Sequence, residues 1–215
     1  MKKKLFAFLL SAAMVLSLAA CGGTTETETT DTEGSDSEGQ TYTIGVIQQM
    51  QHEALDAATQ GFQDAVAELF GDQASVEVQN ASGEAANCST IVGSFVSSGV
   101  DLIMANGTTA LQSAAAATTT IPILGTSITE YGVALGIDGF TGTTGMNVSG
   151  TSDLAPLDQQ AAMLQEWFPD AKNVGLLYCS AEPNSLYQVE TVQGYLEEMG
   201  YTCTPYSFSD SNDVA

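Results

Sequence analysis

The sequence predicts an α/β protein with two doubly wound parallel-sheet lobes, of which the second is incomplete. Three observations indicate this fold class. Short β-rich runs alternate with helical periods over residues 43–124, a glycine-rich stretch covers residues 132–150, and the alternation restarts over residues 156–208. Such alternation is typical of a parallel sheet covered by helices on both faces. Because crossovers are right-handed, few alternatives to a doubly wound sheet remain.

Seven elements are predicted before the glycine-rich stretch. The first helix is indicated by Leu55, Phe62 and Val66, whose spacing places them on one helical face. Gly99 is expected to end the second helix. The predicted strands are residues 43–47, 75–79, 100–105 and 121–124, and the predicted helices are residues 53–70, 84–97 and 109–117.

The glycine-rich stretch interrupts the pattern. Its six glycines and lack of a helical period predict irregular backbone, with one short strand over residues 133–137. The alternation that follows belongs to the second lobe. Its predicted elements are a helix over residues 156–168, a strand over residues 173–179, a helix over residues 184–199 and a strand over residues 201–208.

The last residues look like the start of a further helix. Residues 209–212 read Ser-Asp-Ser-Asn, which is typical of an N-cap cluster. A strand–helix–strand unit alone buries its faces poorly. We therefore expect a second lobe that lacks its remaining strands.

The first 21 residues carry the features of a bacterial lipoprotein signal. Residues 2–4 are lysines, residues 5–18 are apolar but too short to span a bilayer, and Ala19, Ala20 and Cys21 follow. This resembles a lipobox, which implies a signal peptide over residues 1–20 and lipidation of Cys21. The alternative is an ordinary secretory signal with an incidental cysteine.

An acidic segment follows the predicted lipidation site. Residues 24–40 contain only Thr, Glu, Asp, Ser, Gly and Gln, so they have no apolar surface to bury. We expect residues 21–41 to form a disordered tether that holds the folded lobes away from the membrane. An acidic interaction tail is the alternative.

The charge balance excludes one class of partner. The chain has 26 acidic and four basic residues, and removal of the predicted signal leaves Lys172 as the only basic side chain. Without cations it cannot replace the counterions of phosphates, so nucleic-acid binding is excluded. An anionic membrane surface would repel the chain, and the lipid would be needed to hold it there.

Three cysteines follow the predicted lipidation site, at Cys88, Cys179 and Cys203. An odd number argues against a full disulfide framework. Cys179 and Cys203 lie in predicted strands and could pair, although burial as small apolar side chains is the favoured alternative.

Small polar clusters follow several predicted strands. They cover residues 48–53, 106–109, 125–129 and 180–185. Ligands of doubly wound sheets bind beyond the carboxyl ends of the strands, and helix N-termini there present free N–H groups to a carboxylate. Clusters that converge on one edge favour a binding cleft. The alternative for each cluster is ordinary helix N-capping, with Thr108, Ser152 and Asn184 as the caps.

His52, the only histidine, raises the question of catalysis. A hydrolase could use it with Asp153 or Glu182, but no Gly-x-Ser-x-Gly elbow occurs. A metal site would need further His or Cys ligands nearby. No catalytic residue, metal or cofactor is therefore expected. His52 could instead donate a hydrogen bond to a ligand, or be a half-exposed loop residue.

A resemblance to a known family is carried by stretches distributed over residues 43–215. They are TIGVIQQMQHEALDAATQGF, VQNASGE, VDLIMANGT, NVSGTSD, FPDAKNVGLLY and SAEPNS. The chain resembles the substrate-binding proteins of ABC transporters, with a type I periplasmic-binding-protein-like fold. Within these it is similar to the family that includes tryptophan and tyrosine receptors.

The resemblance implies two lobes around a hinge, here residues 42–152 and residues 153–215, with a ligand closed between them. It implies that the last third or so of the usual chain is absent. It also implies a monomeric receptor, lipid-anchored on the extracytoplasmic face of the cell membrane, that delivers a small molecule to an ABC permease. The ligand would be an amino acid with an aromatic or other apolar side chain. A ligand-sensing lipoprotein is the alternative.

The ligand-binding residues are carried over from the family by position. Asp153 is the expected partner of a ligand ammonium group, while helix N-termini and hydroxyls would bind the carboxylate. Thr109, Glu130 and Cys179 stand where the family usually has Pro, Asp and Asn, which leaves the ligand's identity open. The implied ligand-binding residues are Gln51, His52, Gly107, Thr108, Thr109, Ser127, Thr129, Thr151, Ser152, Asp153, Glu182, Asn184 and Ser185.

Overall fold

The computed structural model describes residues 41–209. The predicted signal peptide, Cys21 and nearly all of the predicted tether lie outside the described residues, as do residues 210–212 of the predicted N-cap cluster. No helix of the described part is long and apolar enough to cross a bilayer.

The larger sheet has five parallel strands in the order β2-β1-β3-β4-β5. A short 3-10 turn, Gly71–Gln73, links its first helix to its second strand. We call this part of the chain the five-stranded unit. Its elements are β1 (Tyr42–Gln48), α1 (Glu53–Phe70), β2 (Ala74–Asn80), α2 (Ala85–Ser98), β3 (Leu102–Asn106), α3 (Thr108–Ala117), β4 (Ile123–Ile128), α4 (Tyr131–Leu135) and β5 (Val148–Ser152).

Helices cover both faces of this sheet. On one face Val66 of α1 packs with Val46 and Met104. On the other face Phe95 of α2 packs with the apolar side chains of α3 and β3. Gly45 in β1 makes room for Phe95, because a Cβ atom at Gly45 would lie 2.7 Å from the aromatic ring. The doubly wound arrangement predicted from the alternation is therefore confirmed.

Residues 133–137 were expected to form a strand, and this prediction is wrong. Residues Tyr131–Leu135 form the short helix α4. Glu130 caps it, because its carboxylate accepts hydrogen bonds from Gly132 N at 3.0 Å and Val133 N at 2.6 Å. Two backbone donors satisfied by one side chain stabilise a helical turn that Gly132 and the β-branched Val133 would not favour by themselves.

The sheet has a fifth strand that the sequence did not predict. β5 pairs with β4 at the sheet's edge, and only Val148 of its five residues is buried. Gly125 and Gly150 allow the two strands to approach under the Tyr131 hydroxyl, since a Cβ atom on Gly150 would overlap Gly125 O. The Tyr131 hydroxyl donates to Gly125 O at 3.0 Å and to Thr151 O at 3.2 Å.

A smaller sheet pairs β6 (Asn173–Cys179) with β7 (Thr202–Phe208) in parallel. The helices α5 (Leu157–Trp167) and α6 (Pro183–Glu198) pack on it through Ala161 and Leu196. We call this part the two-stranded unit. The predicted boundary between residues 152 and 153 falls directly after β5 and stays a prediction.

The strand register answers the question of a Cys179–Cys203 disulfide. Cys203 lies opposite Val174, whereas Cys179 lies opposite Phe208. Five residues of strand, about 16 Å, separate the two cysteines along the sheet, which is too far for a disulfide. Both are free and half-buried. Cys88 is fully buried in α2, and burial raises the pKa of its thiol.

Candidate ligand-binding cleft

A cleft of about 290 Å³ lies at the carboxyl ends of β1, β3 and β4 and is closed on its far side by the start of α6. Its volume is at the small end of the roughly 300–1,000 Å³ of small-molecule sites. The lining residues are Gln49, Met50, His52, Ala54, Leu55, Gly107, Thr108, Ser127, Thr129, Asp153, Glu182 and Asn184.

His52 is the N-cap of α1. Its Nδ1 accepts a hydrogen bond from Ala54 N at 3.2 Å. In the neutral ring the proton then sits on Nε2, which makes that atom a hydrogen-bond donor. His52 is exposed and lines the cleft, so it is a capping residue that also presents a donor to a ligand.

A buried polar network lies behind the side of the cleft that the start of α1 forms. Asn106 Nδ2 donates to Leu55 O at 2.8 Å and to Thr59 Oγ1 at 2.9 Å. Thr59 Oγ1 donates to Gln48 Oε1 at 2.7 Å, and Gln48 Nε2 donates to Asp56 Oδ1 at 2.6 Å. The network ties the first turns of α1 to the ends of β1 and β3. Asn106 Oδ1 is buried and accepts no hydrogen bond from the described residues.

Gln49 and Gly107 fit against each other at the start of α3. Gln49 Oε1 accepts a hydrogen bond from Thr109 N at 2.9 Å. Gly107 has a φ of +106°, and a Cβ atom there would lie 2.7 Å from Gln49 Oε1. Gly107 itself occupies the N-cap position, so the alternative that Thr108 is the cap is wrong. Thr108 lines the cleft instead.

The β4 wall contains an unusual backbone. Its pairing with β5 shifts register between Gly125 and Ile128, and within this irregularity Ser127 has a φ of +56°. A non-glycine residue with this left-handed backbone is strained, and such residues concentrate at functional sites. Ser127 lines the cleft beside Thr129, which is buried.

Ser152 supports this wall without lining it. Its hydroxyl donates to Thr129 O at 2.8 Å and accepts from Leu154 N at 3.2 Å. Helix α5 begins only at Leu157, so Ser152 is not a helix cap. Thr151 likewise contributes its carbonyl to Tyr131 and does not line the cleft.

Asp153 places a negative charge at the cleft and also affects Tyr131. Its N–H donates to Ile128 O at 3.0 Å, which fixes its position at the end of β5. Burial, with the nearby charge of Asp153 as the smaller cause, raises the pKa of Tyr131 to about 12. Tyr131 is therefore a neutral hydrogen-bond donor at physiological pH.

The two-stranded unit contributes Glu182 and Asn184. Glu182 occupies the N-cap position of α6, so the alternative that Asn184 caps this helix is wrong. Ser185 Oγ donates to Glu182 Oε2 at 3.0 Å and lies behind it. The cleft thus has two acidic side chains, Glu182 and Asp153, and no lysine or arginine among its lining residues.

Of the thirteen residues implied by the family resemblance, eight line the cleft and five do not. Gln51 is exposed outside it, while Thr109, Thr151, Ser152 and Ser185 support lining residues through hydrogen bonds or lie behind them. Sequence reasoning missed Gln49, Met50, Ala54 and Leu55. Gln49 and Met50 belong to the polar cluster over residues 48–53, so the position of that cluster after the first strand could have identified them as lining residues.

A larger cavity of about 500 Å³ lies at the opposite, amino ends of the strands. It is lined mainly by apolar residues such as Ile44, Phe62 and Leu102. Its acidic residue, Asp101, already accepts a hydrogen bond from Thr43 N at 2.7 Å. With few polar groups free to orient a ligand, this cavity is a weaker candidate than the cleft.

A polar cleft between the strand ends of a doubly wound sheet and a second α/β unit is where proteins of this fold class bind small molecules. Residues 43–215 match the model of one such family, described as ABC transporter substrate binding protein. The chain therefore belongs to the ABC transporter substrate-binding protein family, as the sequence resemblance indicated.

Individual relatives agree with this assignment. The Tyrosine-binding protein of Clostridioides difficile (strain R20291) is 30% identical over 216 residues, which is 99% of this chain and 62% of that protein. The ABC domain from Streptococcus pneumoniae, solved in complex with L-Trp, has a TM-score of 0.76 and 32% identity, over 81% of this chain and 60% of that one.

A third relative is a ligand-free, open substrate-binding protein with adhesive properties from Clostridium difficile. Its TM-score is 0.60 at 34% identity, over 80% of this chain and 59% of that one. The chain thus spans about three fifths of the length of these relatives.

Proposed function

We propose that this protein is a lipid-anchored extracytoplasmic receptor that binds an amino acid with an aromatic or other apolar side chain and delivers it to an ABC importer. The observation that carries the proposal is the cleft at the strand ends, which combines two carboxylates with neutral hydrogen-bond donors and a short apolar wall. This combination is complementary to a zwitterion with an apolar side chain.

The charge distribution supports an amino acid as ligand. Asp153 and Glu182 attract an ammonium group. His52 Nε2 and the Thr108 hydroxyl are neutral donors for a carboxylate. Met50 and Leu55 provide apolar contact for a side chain, and the methionine sulfur favours contact with aromatic rings.

The relatives support the same ligand class. One relative is named a tyrosine-binding protein, and another was solved in complex with L-Trp. Both exceed this chain in length, so their ligands are a guide to the class of compound and not to its identity.

The remaining parts of the proposal come from sequence and charge. Lipidation at Cys21 would anchor the protein, and the acidic segment would separate the lobes from the membrane. Lys172 is the only basic residue outside the predicted signal peptide, which argues against nucleic-acid partners. We take the receptor to be a monomer that works with a membrane permease.

The hydrogen bonding of His52 argues against catalysis. A catalytic histidine normally donates its Nδ1 proton to an orienting carboxylate. Here Nδ1 accepts a hydrogen bond from Ala54 N, so neither Asp153 nor Glu182 can orient the ring in that way. The proposal is therefore a binding protein and not a hydrolase.

The test is a titration of the purified chain with L-tryptophan, L-tyrosine, L-leucine and sugars, followed by thermal unfolding and calorimetry. A ligand at 100 times its dissociation constant adds about 2.7 kcal/mol of stability. We expect a selective shift with an aromatic or apolar amino acid, and Asp153→Asn should weaken it at least tenfold. Asp170→Asn, an exposed acid outside the cleft lining, is the matched control. A shift with sugars alone, or none with any amino acid, would contradict the proposal.

A further inference from the structure

We propose that Gln49 is a ligand-contacting residue whose side-chain Nε2 donates to the carboxylate of the bound amino acid, in an orientation imposed by the first turn of α3. This inference rests on the proposed function and names one specificity determinant within it. The family resemblance did not point to Gln49, because the residues that it carried over began at Gln51.

The backbone of Gln49 is held from two sides. Gln49 N donates to Asn106 O at 2.9 Å, and Gly83 N donates to Gln49 O at 2.9 Å. The residue is therefore fixed between the end of β3 and the turn after β2. A side chain on such a backbone can be positioned within a fraction of an ångström, as ligand recognition requires.

The side-chain amide has one possible orientation. Its Oε1 accepts the hydrogen bond from Thr109 N at 2.9 Å, so the other end of the amide must be the Nε2 donor. Gly107 makes this placement possible, because a Cβ atom there would lie 2.8 Å from Gln49 Cβ. Within residues 41–209, Nε2 makes no hydrogen bond that would use its two protons.

The preceding residue shows what a purely structural glutamine looks like in this fold. Gln48 is buried, its Nε2 donates to Met50 O at 2.8 Å and Asp56 Oδ1 at 2.6 Å, and its Oε1 accepts from Thr59. All its hydrogen-bonding groups are used inside the protein. Gln49 lines the cleft with its donor end unused, which is the pattern expected of a ligand contact.

The charges of the cleft determine which end of the ligand would meet Gln49. Asp153 and Glu182 repel a carboxylate and attract an ammonium group. No lysine or arginine lines the cleft, so the carboxylate must be bound by neutral donors. Gln49 Nε2 joins His52 Nε2 and the Thr108 hydroxyl among the neutral donors that line the cleft.

The decisive variant is Gln49→Glu. The carboxylate of Glu has the same size and still accepts from Thr109 N, so the fold and the α3 cap are kept. It removes both donors and places a negative charge against the ligand carboxylate. We expect unfolding of the ligand-free protein to be unchanged, and the affinity for the amino acid to fall at least tenfold.

A ligand analogue makes the test specific. The amide of the same amino acid, such as L-tryptophanamide or L-tyrosinamide, has no carboxylate and can donate to Glu. The preference of the wild type for the acid over the amide should therefore shrink at least tenfold in Gln49→Glu. Gln73→Glu adds the same charge at the exposed turn before β2, outside the cleft lining, and should leave both affinities unchanged.

The outcomes separate the two proposals. Wild-type protein that binds an amino acid, with an acid-to-amide preference that Gln49→Glu leaves intact, would overturn the Gln49 contact alone. An equal loss of both ligands would also overturn it, since Gln49 would then only shape the cleft. Wild-type protein that binds no amino acid would overturn the proposed function and this contact together.

Discussion

The five-stranded and two-stranded units bury their strands in different ways. The last five residues of β1 are all buried, because helices cover both faces of the sheet. β6 instead alternates between exposed and half-buried residues, and α5 and α6 pack through Ala161 and Leu196 into its core cluster. Leu177 and Tyr206 remain 63% and 57% exposed. The larger sheet is buried on two faces and the smaller sheet on one, so the five-stranded unit should be the more stable of the two. The proposed ligand would bind where the two units meet.

The largest effect is expected in the core of the five-stranded unit. Phe95 is 1% exposed and its ring packs against Gly45. Phe95→Ala should lower the free energy of unfolding by about 3–5 kcal/mol, measured by urea denaturation, because it leaves a large cavity. Trp167→Ala removes a bigger but 67% exposed ring and should cost less than about 1 kcal/mol. An equal loss of unfolding free energy in the two variants would contradict the idea that burial determines the cost of each substitution.

A second substitution tests whether the two units unfold separately. Leu196 is 1% exposed and joins α6 to the core of the two-stranded unit. Leu196→Ala should cost about 2–5 kcal/mol locally and raise amide exchange over residues 173–208, while β1 and β3 keep their protection. Leu186→Ala, on the same helix but 39% exposed, is the control. Faster exchange in β1 as well would show a single cooperative unit.

Tyr131 provides a smaller, pH-dependent effect at the edge of the five-stranded unit. Its folded pKa of about 12 lies above the unfolded value of about 10. The raised pKa means that the contribution of the Tyr131 hydroxyl to stability is fully present below pH 10 and is lost as the pH rises from 10 toward 12. Tyr131→Phe should cost about 1–2 kcal/mol at neutral pH, because Gly125 O and Thr151 O lose their donor.

The pH profile separates this cause from simple loss of packing. Melting temperature measured between pH 9 and 12 should fall more steeply for the wild type than for Tyr131→Phe. Parallel curves would mean that the pKa of the Tyr131 hydroxyl is not raised in the folded protein. Tyr42→Phe, at the half-buried start of β1, retains the Tyr131 hydroxyl and is the matched control.

The smallest effect is expected from relief of backbone strain. Ser127 and Ser82 both have a φ of +56°. Substitution of either by glycine should raise the free energy of unfolding by up to about 1 kcal/mol in thermal denaturation. Only Ser127→Gly should also weaken ligand binding, since Ser127 lines the cleft and Ser82 does not. Loss of affinity in both variants would mean that the effect is not due to the Ser127 hydroxyl.

Long elements with one dominant pattern were predicted well. The helix over residues 53–70 and the strand over residues 173–179 match α1 and β6 to the residue. α4 and β5 were missed because tertiary contacts decide them. The five residues of α4 depend on the Glu130 cap, and β5 has one buried aliphatic residue and pairs through the close approach of two glycines.

The candidate site was predicted in part for similar reasons. Polar residues at or just beyond the carboxyl end of a strand, such as Ser127 and Thr108, line the cleft because all parallel strands end at the same edge. Residues such as Ser152 and Ser185 have the same composition but bond to neighbouring protein groups. Gln49 could be distinguished from Gln48 only by its hydrogen bonds, which local sequence does not encode.

The buried network of Gln48, Thr59 and Asn106 has a consequence for the entropy of binding. It locks the first turns of α1 onto the sheet, so His52 and Leu55 face the cleft before any ligand arrives. Because these side chains are already ordered, binding does not lose the roughly 0.5–1.5 kcal/mol that ordering each side chain would require. Binding free energy would then remain available for the closure of the two units that the family resemblance implies.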